Sequence, residues 1–211
     1  MARTDIHHPL FARLYPRISQ TQERHGMTAH RRTLLEGLSG RVVEVGAGNG
    51  LNFAHYPPAV TRVIAIEPER TLRELAVRAA AKAPVPVEVL DGVAEALPVA
   101  DESVDAVVVS LVLCSFSDPD AALREARRVL VPGGRLCFLE HVRADTPGMV
   151  RFQRLLDATV WPRLAGGCHT ARDSAAAIER AGFAVERMRR FHFAGIRGPA
   201  TYFILGAARR P

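Results

Sequence analysis

Short apolar runs alternate with longer segments of helical pattern along the first two thirds of this chain. The runs, each rich in valine, isoleucine or leucine, are 41–46, 61–66, 85–90, 104–110 and 135–140. Between them, segments such as 69–82 and 119–130 carry leucine and alanine at helical spacing, with charged residues on the opposite side. Strands that alternate with helices of this length predict βαβ units, and therefore a mostly parallel sheet with helices on both faces.

The pattern changes after residue 140. Residues 149–164 and 171–181 predict two helices, the second ended by Gly182. Two further strand-like runs, 183–193 and 199–208, are joined by a short Gly-containing turn. A short connection permits only antiparallel pairing, so the sequence predicts a mixed sheet that ends in a hairpin.

Composition narrows the range of partners. The net charge is +6, but Lys82 is the only lysine and the arginines are scattered, which favours a solvated surface over nucleic-acid binding. The three cysteines are far apart and form no C-x-x-C motif, so we expect no disulfide framework, no metal site and a reducing, cytoplasmic setting. The sequence contains no run of 18 apolar residues, so no membrane-spanning helix is predicted. Weak peripheral contact of residues 1–40 with a membrane is left open.

Three glycines follow the first strand at alternate positions. Gly46, Gly48 and Gly50 form G-x-G-x-G. A dinucleotide fingerprint is G-x-G-x-x-G, and in this chain Leu51 occupies the position of its last glycine. No Gly-Lys-Ser/Thr follows, which excludes a P-loop. We expect the glycines to let a ligand approach the backbone, with a helix starting near Leu51 that points its N-terminus at that ligand; a purely structural turn is the alternative.

An acidic residue ends the second strand. Glu67 lies 21 residues after Gly46, and a carboxylate at this place can accept hydrogen bonds from both hydroxyls of a ribose. Dinucleotide enzymes and S-adenosylmethionine enzymes share this feature, so it indicates an adenosine nucleoside without selecting between them. The alternative is a charge that favours the dipole of the next helix.

Four motifs occur in a fixed order. They are Glu44 to Gly50, Glu67, Ala94 to Pro98 (AEALP) and Leu130 to Gly134 (LVPGG). Over residues 40 to 142 the chain resembles the class I S-adenosylmethionine-dependent methyltransferases. The resemblance implies an α/β fold with a doubly wound, seven-stranded, mostly parallel sheet and an antiparallel C-terminal hairpin.

The resemblance also implies which residues hold S-adenosylmethionine. They are Glu44, Gly46, Ala47, Gly48, Gly50, Asn52, Glu67, Pro68, Gly92, Val93, Ala94, Ser110 and Leu111. One position departs from the family pattern: relatives often carry an aspartate for the adenine amino group where Val93 stands. Adenine is then expected to use backbone groups near Val93 and Ala94 and apolar contact with Pro68 and Leu111, with Asp91 as an alternative acceptor.

The methyl acceptor has to reach the ends of the fourth and fifth strands. His141, directly after the fifth strand, is the candidate catalytic base because imidazole titrates near neutral pH; a structural role is the alternative. His169 and Cys114 are further candidates. The stretches NFAHYPP, SLVLCS, FLEHV and AGGCHTARD resemble the alkyl thiol methyltransferases of animals, whose N-terminal hydrophobic membrane segment this chain lacks.

That resemblance implies methyl transfer to a small or alkyl thiol, with O-, N- or C-methylation of a small apolar or lipid-like metabolite as the alternative. A nicotinamide-dependent oxidoreductase and a non-catalytic nucleoside-binding module are rivals of another class. The predicted organisation is one domain: an N-terminal helical cap (1–40), a cofactor-binding core (41–142), a helical insertion or lid (143–170), and a helix with the C-terminal hairpin (171–211). No oligomeric state is predicted.

Overall fold

Seven strands form one mixed sheet in a computed structural model that describes residues 9–159, 161–193 and 198–211. The strands are β1 (Gly40–Val45), β2 (Val60–Ile66), β3 (Val87–Leu90), β4 (Val104–Ser110), β5 (Leu130–His141), β6 (Ala184–His192) and β7 (Tyr202–Arg209). Their order across the sheet is β3-β2-β1-β4-β5-β7-β6. Pairing is parallel from β3 to β5 and antiparallel between β5 and β7 and between β7 and β6. The predicted α/β fold with its C-terminal hairpin is confirmed.

Seven helices lie within the described ranges. They are α1 (Pro9–Gln22), α2 (Thr28–Leu35), α3 (Arg70–Ala80), α4 (Pro119–Val129), α5 (Pro147–Asp157), α6 (Trp161–Leu164) and α7 (Ser174–Arg180). A π-helical turn, Glu23–Met27, joins α1 to α2 and bends at Gly26. No helix in these ranges is both long and apolar enough to cross a membrane.

The sheet is covered on both faces because its central strands are apolar on both sides. In β4, Val107 and Val109 pack into one buried cluster, with side chains of α4 and α7. Ala106 and Val108, which alternate with them, pack into a second cluster with side chains of α2 and α3. Successive side chains of a strand point to opposite faces, so this continuous apolar run is what a doubly wound sheet requires.

Local signals place the helix ends. Asp118 accepts a hydrogen bond from the backbone N–H of Ala121 (2.9 Å), and Pro119 occupies the first turn of α4, where no N–H is needed. Asp173 caps α7 in the same way and moves its start three residues beyond the predicted position.

Two helix predictions are wrong. The helix expected near Leu51 is replaced by a short 3₁₀ turn, Phe53–His55, because Pro57 and Pro58 follow at once and cannot continue a helix. The helix expected over 149–164 divides into α5 and α6, since Pro162 lacks the N–H that would bond to the preceding turn. Residue 160 of that segment, residues 194–197 of the hairpin turn and residues 1–8 of the predicted cap lie outside the described residues.

Candidate active site

A cavity of about 490 Å³ opens at the carboxyl ends of the parallel strands. This is the position at which open α/β sheets bind ligands, and the volume is typical of small-molecule sites. Eight of the residues predicted to hold the cofactor line it: Gly46, Gly48, Glu67, Pro68, Gly92, Ala94, Ser110 and Leu111. They come from the ends of four neighbouring strands, so the sheet brings together segments that are distant in sequence.

Among the described residues, the other predicted positions lie outside the lining. Ala47 is buried against the sheet core, and Val93 forms an isolated β-bridge with Ala96. Asp91, the alternative acceptor for adenine, is also absent from the lining and pairs with Arg73 at 3.2 Å.

Glu67 is held at the cavity by backbone groups. Its Oε2 accepts the N–H of Gly48 at 2.7 Å, and its Oε1 accepts the N–H of Glu69 at 3.0 Å. Burial raises the pKa of Glu67 to about 7, although these two hydrogen bonds act in the opposite direction. The carboxylate is therefore already oriented in the cavity, and it changes protonation state near neutral pH.

Gly50 supports the loop rather than the cavity. Its φ is +78°, and a β-carbon added there would lie 2.7 Å from the Ala79 β-carbon and 2.8 Å from the Phe53 ring. Both the left-handed backbone and the contact with α3 require glycine at this position.

A buried polar network lies behind the glycine loop. Glu44 accepts hydrogen bonds from Asn52 Nδ2 (2.9 Å) and from the Tyr56 hydroxyl (2.7 Å). Arg31, which is 3% exposed, donates from Nη1 to Asn52 Oδ1 (2.9 Å) and to Ser110 Oγ (3.1 Å). Burial raises the pKa of Glu44 to about 7. Glu44 and Asn52 therefore support the glycine loop through hydrogen bonds and do not themselves line the cavity.

Arg31 also ties the loop to the N-terminal helices, because its Nε donates to Glu23 Oε1 at 2.8 Å. Sequence reasoning did not identify Arg31. Its neighbour Arg32 is exposed, and nothing in the local pattern distinguishes the two arginines.

Aromatic residues of α1 close one side of the cavity. Phe11 and Tyr15 both line it, with ring centroids 5.1 Å apart. A β-carbon at Gly48 would lie 3.2 Å from the Tyr15 ring, and one at Gly166 would lie 2.6 Å from the Phe11 ring. The sequence predicted a helical cap over these residues without assigning either ring to the site.

Two loops form another part of the cavity wall, the one after β4 and the one after α6. Ser115 from the first and Gly167, His169 and Arg172 from the second line the cavity. The loops are joined by hydrogen bonds from the His169 N–H to the Cys114 carbonyl (2.8 Å) and from Arg172 Nη1 to the Leu113 carbonyl (2.7 Å).

Cys114 and Cys168, which these two loops carry, come together with His141 at the end of β5. One sulfur or ring-nitrogen atom of each lies within 4.8 Å of the others. Cys114 and His141 are buried and Cys168 is partly buried. Contact with Cys168, followed by burial, raises the pKa of Cys114 well above its ordinary value. His141 is not among the residues that line the cavity in the described parts of the chain.

The grouping of these three side chains was not predicted. The sequence analysis expected no metal site, because linear spacing gave no ligand motif. The three residues come from β5 and from two separate loops, and only tertiary packing makes them neighbours.

Comparison with known proteins agrees with the fold and the motifs. Residues 43–138 match the family model described as a methyltransferase domain. The chain is 40% identical to the human thiol S-methyltransferase TMT1A over 153 residues, which are 70% of this chain and 62% of that protein. It therefore spans about six tenths of the length of this relative. It is 30% identical to the ubiquinone/menaquinone biosynthesis C-methyltransferase UbiE of Syntrophotalea carbinolica, over 75% of this chain and 70% of that protein.

Solved structures share the fold at lower sequence identity. Protein BH2331 of Bacillus halodurans superposes with a TM-score of 0.70 at 20% identity, covering 87% of this chain and 98% of that one. Geranyl diphosphate methyltransferase, solved with S-adenosylmethionine, gives a TM-score of 0.67 at 13% identity, covering 89% of this chain and 85% of that one. With the four ordered motifs, the strand order and the relatives in agreement, the chain belongs to the class I S-adenosylmethionine-dependent methyltransferase family.

Proposed function

We propose that this chain transfers the methyl group of S-adenosylmethionine to the sulfur of a small or alkyl thiol. The observation that carries the proposal is the cavity itself: a glycine loop and an oriented carboxylate lie at one end, and two loops bring Ser115 and His169 to the other. The likeness to human TMT1A, named a thiol S-methyltransferase, supports the choice of acceptor.

The cofactor site follows from the lining residues. Glu67 accepts hydrogen bonds from the ribose hydroxyls, because each of its oxygens has a further lone pair that is not used by the backbone N–H groups of Gly48 and Glu69. The amino-acid tail lies along the backbone at Gly46 and Gly48. Adenine packs between Pro68 and Leu111, in keeping with the loss of the family's aspartate at Val93.

The network of Glu44, Asn52 and Arg31 has a supporting role in this proposal. It keeps the glycine loop in a conformation that matches the cofactor before the cofactor arrives, so less conformational entropy is lost on binding.

The reaction is an in-line displacement at the methyl carbon, in which the acceptor sulfur forms the new bond and the thioether of S-adenosylhomocysteine leaves. The protein must hold the two sulfur atoms on opposite sides of the methyl group and favour the thiolate of the acceptor. The prediction that His141 acts as the base stays untested. Its Nε2 lies 3.4 Å from the Pro199 carbonyl, and its Nδ1 faces Cys168 rather than the cavity.

A comparison of acceptors tests the proposal. Purified protein and S-adenosylmethionine are incubated with matched small thiols, phenols and amines, and both the methylated product and S-adenosylhomocysteine are measured by mass spectrometry. We expect turnover with thiols. Transfer to phenols or amines but to no thiol would reject the acceptor class, and binding of a nicotinamide nucleotide in place of S-adenosylmethionine would reject the cofactor.

C- or O-methylation of an apolar metabolite is the second candidate. Two observations favour it: the likeness to UbiE, named a C-methyltransferase, and the apolar walls formed by Phe11, Tyr15 and Phe116. A phenol or hydroquinone arm in the same assay distinguishes it from the first. A reducing, cytoplasmic setting is part of the proposal and rests on the three free cysteines.

A further inference from the structure

We propose that Cys114, His141 and Cys168 bind a zinc ion, and that the thiol sulfur of the methyl acceptor takes the fourth position on this ion. The zinc site stands on the three side chains alone. Only the role of its fourth position rests on the proposed thiol methylation.

The spacing of the three ligand atoms suits a tetrahedral ion. Zn–S bonds of about 2.3 Å and a Zn–N bond of about 2.0 Å at tetrahedral angles separate sulfur from nitrogen by about 3.5 Å and sulfur from sulfur by about 3.8 Å. Cys168 Sγ lies 3.9 Å from His141 Nδ1, and all three ligand atoms lie within 4.8 Å of one another. The present separations therefore exceed those of a tetrahedral zinc site by about 1 Å at most.

The imidazole of His141 is already oriented as a ligand. A carbonyl oxygen can only accept a hydrogen bond, so the contact of Nε2 with the Pro199 carbonyl makes Nε2 the protonated nitrogen. Nδ1 therefore keeps its lone pair, on the side of the two sulfur atoms. Metal-bound histidines commonly donate their second N–H to a backbone carbonyl in this way.

The Pro199 carbonyl is itself held in place. Gln153 is fully buried, donates from Nε2 to this carbonyl at 2.7 Å, and accepts the Ala144 N–H at 2.8 Å. A buried amide that fixes the partner of His141 is the kind of outer contact that metal sites use.

The two cysteine loops are held together by contacts that leave little freedom. Glu140 is fully buried and accepts the backbone N–H groups of Val112 and Leu113 at 3.1 Å, which fixes the loop that carries Cys114. At Gly167 (φ +85°) a β-carbon would lie 2.9 Å from the Ser115 carbonyl oxygen. Only glycine allows this close approach of the two backbones, which brings Cys168 to Cys114.

The fourth position is the functional part of the proposal. Zinc sites with three protein ligands bind water or substrate at the remaining position, and in the described residues three side chains form this group. Cys168 is its partly exposed member and lies between Gly167 and His169, which both line the cavity. A thiol in the cavity therefore approaches the ion from the side of Cys168.

The chemistry balances without a further reagent. The acceptor thiol replaces bound water and releases its proton to solvent, because zinc coordination deprotonates a thiol. The sulfur then forms a bond to the methyl carbon as the carbon–sulfonium bond breaks, and the electron pair of that bond stays on the sulfur of S-adenosylhomocysteine.

Metal analysis of the full chain tests the site. Reduced protein is loaded with zinc, desalted and measured by elemental analysis. We expect about one ion per chain in the unchanged protein and loss of the ion in C114S, C168S and H141A. Cys137→Ser is the matched control, because Cys137 is buried in β5 away from the group and its variant should keep the ion. If the reduced, unchanged protein binds no more zinc than a C114S/C168S double variant, the proposed site is wrong. This conclusion holds even if the two cysteines can form a disulfide under oxidising conditions.

Spectroscopy on the unchanged protein keeps the test independent of variant folding. Zinc X-ray absorption should show two sulfur neighbours and one imidazole nitrogen; an oxygen-only shell would overturn the assignment. In the cobalt-loaded protein, a small thiol should increase the thiolate-to-cobalt charge-transfer absorption, and an unchanged spectrum would reject the role of the fourth position. None of these measurements needs methyl transfer, so they separate a failure of the zinc site from a failure of the proposed activity.

Discussion

Cofactor affinity should depend on pH through one carboxyl group, Glu67. This side chain is 5% exposed, and burial raises its pKa to about 7. The proposed role of Glu67 is to accept hydrogen bonds from the ribose hydroxyls, which requires the carboxylate form. Protonation below pH 7 converts one of its oxygens from an acceptor into a donor, so affinity should fall as the pH falls.

The size of the effect follows from the raised pKa. With a pKa of about 7, about a tenth of the protein has an ionised Glu67 at pH 6 and about nine tenths at pH 8. Affinity for S-adenosylhomocysteine should therefore be about tenfold weaker at pH 6 than at pH 8, a difference of about 1.4 kcal/mol. Glu67→Gln, which cannot titrate, should remove this dependence and weaken binding at pH 8 by about 1–3 kcal/mol.

Titration calorimetry with S-adenosylhomocysteine at pH 6, 7 and 8 measures both effects. Glu44→Gln is the matched control: Glu44 also has a pKa raised to about 7, but it bonds to Asn52 and Tyr56 and does not line the cavity. The E44Q protein should keep the pH dependence. The reasoning fails if the unchanged protein binds equally well at pH 6 and pH 8, or if the E67Q protein keeps the same slope.

Four further substitutions have defined outcomes. Gly48→Val should abolish cofactor binding by calorimetry while the protein stays folded, because its side chain enters the cavity at a left-handed backbone position. Gly50→Ala should instead lower stability to urea by about 1–3 kcal/mol, and an unchanged midpoint would contradict the close contact with α3. Arg31→Met should lower the free energy of unfolding by about 3–5 kcal/mol in the same urea assay, because it leaves a buried network without its cation. His141→Ala should leave S-adenosylhomocysteine affinity nearly unchanged and slow thiol methylation; full activity would exclude the base role of His141 and a role of the bound zinc in the transfer, whereas metal analysis tests zinc binding itself.

The fold was accessible from local pattern. Apolar runs that alternate with helical segments predicted the strands, and the short turn before Tyr202 predicted the antiparallel hairpin. These predictions succeed because strand and helix periodicity and the exclusion of parallel pairing by short turns are properties of neighbouring residues. The positions of the glycine run and of Glu67 at one edge of the sheet were predictable for the same reason, since each follows the end of a parallel strand.

Tertiary structure alone decided which side chains surround the cavity. Arg31 reaches Ser110 across 79 residues of sequence, and the rings of α1 close a cavity formed by strand ends far along the chain. Cys114, His141 and Cys168 belong to three segments whose spacing matches no ligand motif, and they meet because the backbones at Gly167 and Ser115 are in close contact. Periodicity reports which face of an element is buried, but it carries no information about which distant side chain that face meets, because packing of the whole chain determines the partner.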